Sequence, residues 1–73
     1  MLEVDFHHYR VADALERVHQ IISEARMSGG RTEVRLITGH GSIKVEIIQL
    51  LTKYDIEHNI KLGNSGTIVA VID

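Results

Sequence analysis

The chain has no cysteine and no proline, three aromatic residues, and fewer basic than acidic side chains. Without cysteine there is neither a disulfide framework nor a thiolate metal site. The same absence suits a reducing compartment, so a cytoplasmic location is expected. No apolar run approaches the ~18 residues of a membrane span, and no membrane partner is expected. The N-terminus is acidic and soon reaches Asp5 and two histidines, unlike a secretory signal peptide. Eight basic residues against ten acidic ones leave a formal charge of −2. That argues against a strong non-specific nucleic-acid clamp, which is normally basic, so any such contact must come from a local patch. With only Phe6, Tyr9 and Tyr54 as aromatics, a broad platform for stacking bases is also missing.

What remains is a soluble, globular composition, 44% apolar and 25% charged. Seventy-three residues make one domain, 1–73, with no room for a second module. A chain this short buries only about 60% of the surface that its unfolded form exposes. Its five histidines are many for the length.

Residues 2–6 alternate apolar and polar, the period of a half-buried strand. Over 11–28 the period becomes helical, with Val11, Ala14, Leu15, Val18, Ile22 and Ala25 on one face and Gly29-Gly30 as the stop. A second strand is predicted over 33–38, with Val34 and Leu36 on one side. Gly39-His40-Gly41 breaks it, and Ser42 is placed as the N-cap of a helix over 43–54. That helix buries a stripe of Ile43, Ile47, Leu50, Leu51 and Tyr54. A polar strand over 57–62 carries Ile60 and Leu62 as its apolar face. A turn at Gly63–Gly66 leads into the nearly all-apolar strand 67–72.

The order β-α-β-α-β-β implies two right-handed β-α-β crossovers and a closing hairpin. The fold class is therefore α/β: a two-layer sandwich, with a four-stranded mixed sheet and both helices on one face. The most apolar strand, the fourth, belongs inside the sheet beside the second. The polar third strand belongs at an edge. Three loops then meet at the carboxyl ends of the parallel strands, the usual ligand edge of such sheets, where two helix N-termini also suit phosphate. Asp5 and His7, two apart on an extended strand, share the face away from the helices.

These segments resemble the Smr domain family, the small MutS-related module. Its apolar-Asp-x-His-Gly strand end is matched by Val4-Asp5-Phe6-His7-His8. Its Thr/His-Gly-x-Gly loop is matched by Thr38-Gly39-His40-Gly41, and its glycine-flanked turn by Gly63-Asn64-Ser65-Gly66-Thr67. The resemblance spans essentially the whole chain. It implies the two-layer fold also seen in the C-terminal domain of a bacterial translation initiation factor. It also implies nucleic-acid binding, RNA or DNA, and in many members endonuclease activity. Carried over residue by residue, Asp5 and His7 become the catalytic pair, Gly39, His40 and Gly41 the second loop, and Gly63 and Gly66 the third-motif turn. Beside them the rim placement adds His8, Tyr9, Arg10, Ser42 and Lys44 to the nucleic-acid or phosphate-binding set, with Arg10 and Lys44 as the nearest basic residues. One departure is plain: His8 stands where the family usually has glycine.

The chemistry fits those residue types. Phosphodiester cleavage needs proton transfer to and from oxygen and donors for the phosphorane charge. Histidine titrates near neutral pH and serves either proton role. With RNA the 2′-hydroxyl is an internal nucleophile and no metal is required; a divalent metal such as Mg²⁺ stays open as a cofactor. Other readings stand beside this one. Asp5 can pair with Arg35, the histidines can be solvated strand-end residues, and His7, His8 and His40 can be weighed as zinc ligands, although their spacing matches no known zinc pattern. The alternative function is a non-catalytic protein-interaction or homodimer domain. It would use the open sheet face through Ile37, Val69 and Val71.

Overall fold

A computed structural model describes residues 2–73. The elements are β1 (Leu2–Asp5), α1 (Val11–Ser28), β2 (Thr32–Ile37), α2 (Ser42–Lys53), β3 (Glu57–Ile60) and β4 (Thr67–Ile72). The sheet order is β1-β2-β4-β3. β1 and β2 are parallel, and β4 runs antiparallel to both its neighbours. Hence β1, β2 and β3 point the same way and their carboxyl ends share one rim. The topology predicted from apolarity alone, with β4 inside and β3 at the edge, is the one observed.

Alternation explains the layers. Val34 and Leu36 on β2, and Ile68, Ala70 and Ile72 on β4, are buried in one cluster with Ala14, Val18, Ile21 and Ile22 of α1 and Ile47 and Leu51 of α2. Both helices therefore cover the same sheet face. Each valine, leucine or isoleucine among them contributes about 1.5–3 kcal/mol when fully buried. On the opposite face Ile37, Val69 and Val71 remain half-buried.

Four local expectations change. Ile21, absent from the predicted stripe, is buried beside Ile22, because α1 packs on α2 as well as on the sheet. The N-cap of α2 is Gly41, with no side-chain cap bond; Ser42 is the first helical residue. Tyr54 is exposed and lies past the end of α2. There the Ile56 N–H reaches the Leu51 carbonyl, the Asp55 N–H reaches Thr52, and Asp55 takes φ 56°. This is a Schellman closure, and it turns Ile56 into the core while Tyr54 meets the His19 ring edge-on. Finally, β3 ends at Ile60. The Lys61 N–H donates to the Thr67 carbonyl and the Asn64 N–H to that of Lys61, so the chain turns early and leaves Leu62 99% exposed.

Candidate nucleic-acid interface

Asp5 closes β1, and its carboxylate is used at once: Oδ1 accepts the His7 backbone N–H at 2.9 Å. This Asx turn fixes the chain as it leaves the sheet. Phe6, between them, is buried, and its N–H donates to the Ile37 carbonyl at 2.9 Å, so pairing with β2 continues one step past β1. The Tyr9 N–H then donates to the Phe6 carbonyl at 3.0 Å. Phe6 to Tyr9 is thus a β-turn with His8 in its third position at φ 71°, the pattern of a type II turn, which ordinarily puts glycine there. The His7 and His8 rings lie 4.0 Å apart, centroid to centroid. Tyr9 is 39% exposed and rests edge-on against Phe6.

Replacing His8 by glycine is expected to stabilise the fold. A left-handed non-glycine residue costs roughly 1–2 kcal/mol, and the extra chain entropy of glycine offsets about 0.5–1 kcal/mol of that. A net gain of about 0.5–1 kcal/mol corresponds to a rise in Tm of roughly 2–8 °C, measurable by thermal denaturation. An unchanged or lower Tm would show that the turn favours histidine.

Asp5, His7, Ile37, Thr38 and Gly39 line a pocket of about 210 Å³, which joins the first two motif loops. A second pocket of about 200 Å³, between Leu2, Ile21 and Thr32, lies at the other end of the sheet, and Glu24 is the sole titratable group in its lining. The Asp5–Arg35 pairing does not occur. The sheet register sets Arg35 beside Glu3 and Val69, and Asp5 beside Ile37. Among the described residues the single ion pair is Arg31–Glu57, exposed and 3.8 Å long.

The remaining loops are tied together. The Thr38 and Gly39 N–H groups both donate to the Gly66 carbonyl, at 2.8 and 3.1 Å. His40 Nε2 and Ser65 Oγ share a 2.7 Å hydrogen bond, and Lys44 Nζ donates to the Ser65 carbonyl at 2.6 Å. Gly66 is buried; a Cβ there would stand 3.4 Å from both the Gly39 Cα and the His40 ring. Gly39 and Gly66 therefore shape the rim, and the Gly39 N–H is already engaged. Gly63 takes φ 81° in the turn that carries Ser65. Arg10 is the N-cap residue of α1, in extended conformation without a side-chain cap bond. Ser65 and Thr38 lie outside the set carried over from the motifs, although both stand within the motif segments.

The rim presents Arg10, Lys44 and Lys61 together with His7, His8 and His40, and it also carries the carboxylates of Asp5 and, in the first turn of α1, Asp13. The carboxylates Glu3, Glu33 and Glu57 sit in the register rows of the open face with Arg35 among them. Among the described residues no three His, Asp or Glu side chains converge as a metal site would require, and no helix is long and apolar enough to cross a membrane.

A family profile for the Smr domain matches residues 4–70 of the 73-residue chain. No curated protein and no solved structure gives a significant match.

Proposed function

Because the chain belongs to the Smr domain family, we propose that it binds RNA or DNA across the three-loop rim and cleaves the phosphodiester backbone at the Asp5–His7 pocket. The observation that carries this reading is the pocket itself. An Asp-fixed turn holds an exposed imidazole beside a cleft, next to the other two loops of the rim, which are hydrogen-bonded to each other. His7 is the proton-transfer group. Asp5 sets the backbone from which His7 projects. Lys44 and Arg10 attract the phosphates; Lys44 is held by the Ser65 carbonyl and has N–H donors to spare. His8, Tyr9, His40, Gly41, Ser42 and Gly63 complete the binding surface.

Binding measured across a salt series tests the first half. With Arg10, Lys44 and Lys61 as the phosphate contacts, log K against log salt falls with a slope of roughly −2 on single strands. Lys44→Ala reduces that slope by about 0.7. Cleavage of end-labelled RNA and of supercoiled plasmid, in Mg²⁺ and in EDTA, tests the second half. The wild type is expected to cut and an Asp5→Ala/His7→Ala double variant is not. If the folded wild type neither binds with a salt slope nor cuts, the reading fails. The half-buried apolar strip Ile37, Val69 and Val71 would then favour a protein partner or a second copy on the open face, which sedimentation would detect.

A further inference from the structure

Ser65 holds a side chain of the second loop and one of α2 at the same time. Its hydroxyl oxygen lies 2.7 Å from His40 Nε2, and its carbonyl accepts the Lys44 ammonium at 2.6 Å. Neither bond is needed to dock the third loop. The Gly66 carbonyl already takes the Thr38 N–H, the Gly39 N–H and the Thr38 hydroxyl. What the two Ser65 bonds fix is an exposed ring and a long, half-buried lysine. Lysine is among the side chains that lose most rotamer freedom when held. Holding it in advance lowers the ordering entropy that a ligand must overcome. The ring is seated from a second side as well, for a Cβ on Gly66 would stand 3.4 Å from it. Resting on the binding half of the reading above, and not on cleavage, we propose that Ser65 is a positioning residue. It sets His40 and Lys44 side by side to grip one backbone phosphate of the nucleic acid.

The hydrogen bond dictates how the ring is used. The Ser65 O–H donates to Nε2 of the neutral imidazole. The ring proton then sits on Nδ1, because the partner of one ring nitrogen sets the state of the other. Nδ1–H is left as a donor to a phosphate oxygen. Lys44 supplies the second contact: its ammonium has three donors, and Ser65 takes one. Ser65 itself touches no substrate. It acts on affinity, and the bond-breaking step at the Asp5–His7 pocket proceeds without it.

Two measurements test this role. The first is nitrogen NMR of the folded chain at alkaline pH, where the imidazole is neutral. His40 is expected as the Nδ1–H tautomer. Ser65→Ala should return it to the Nε2–H form that free histidine favours, and Ser65→Thr should not. An Nε2–H ring in the wild type would overturn the assignment, whatever the chain binds. The second is a double-mutant cycle on affinity for a single-stranded 2′-deoxy oligonucleotide in EDTA. Loss of the hydrogen bond in Ser65→Ala is expected to weaken binding about 3–10-fold, with Ser65→Thr near wild type. Because Ser65 acts through His40, adding Ser65→Ala to His40→Ala should cost no more than about twofold further. Thermal midpoints should barely move, since both side chains are exposed. Losses that multiply, or unchanged affinity in Ser65→Ala, would overturn the positioning role and leave the rim as the binding site. A folded wild type without salt-dependent binding would overturn the rim reading and this role with it.

Discussion

Phe6→Ala is expected to remove a large part of this protein's stability. The Phe6 ring is 2% exposed and fills the corner where β1 passes into the His7–His8 turn. Truncating a buried phenylalanine costs about 3–5 kcal/mol through lost transfer energy and the cavity left behind. A chain of 73 residues has a total stability of roughly 4–11 kcal/mol, so the loss is about a quarter of it or more. The expected fall in Tm is roughly 12–40 °C. Phe6→Leu, which keeps most of the volume, should retain the larger part. The effect also reaches the rim, because Phe6 supplies both the N–H that bonds Ile37 and the carbonyl that bonds Tyr9. Urea denaturation of both variants is the direct check. A loss below about 1 kcal/mol for Phe6→Ala would mean that the corner collapses without harm.

The second large effect separates geometry from charge at Asp5. Its oxygen accepts a backbone N–H, and an asparagine carbonyl can accept the same bond. Asp5→Asn should therefore keep the turn and hold cleavage within about tenfold of wild type, a factor worth about 1.4 kcal/mol. Asp5→Ala removes the acceptor, frees the chain at His7, and should cost on the order of 10²-fold, as small displacements of reacting groups do. Equal, severe losses in both variants would show that the negative charge itself is required. Single-turnover cleavage of one RNA, with affinity measured in parallel, distinguishes the cases.

The architecture was legible because apolarity is distributed so unevenly. Residues 67–72 could only be an inner strand, and a strand reading Glu57-His58-Asn59-Ile60 could only be an edge. The placement of Asp5, His7, Gly39 and Gly66 around one rim follows from that topology. Single residues were harder to place. Tyr54 and Leu62 fit the apolar periods but fall just past the ends of their elements, where hydrogen bonds to Leu51 and Thr67 turn the chain away. The Asp5–Arg35 pairing failed on register, because a parallel ladder puts Arg35 opposite Glu3. The φ of His8 and the Ser65 bridge to His40 and Lys44 are backbone and loop geometry, on which residue type places little constraint.

The position of β4 bears on how the molecule is made. Its strand lies between β2 and β3 and brings Ile68, Ala70 and Ile72 to the core, yet it is the last element of the order. At about 5–20 residues per second, synthesis takes roughly 1–4 s to pass from the end of α2 at Lys53 to the end of β4 at Ile72. During that interval the nascent chain carries both helical segments, an apolar layer lacking its middle, and an unpaired edge on β2. Folding must wait for the strand ending at Ile72 and then close contacts far apart in sequence, a slow class of event. A stall in synthesis before that strand emerges leaves a sticky, half-covered intermediate, a natural client for a chaperone.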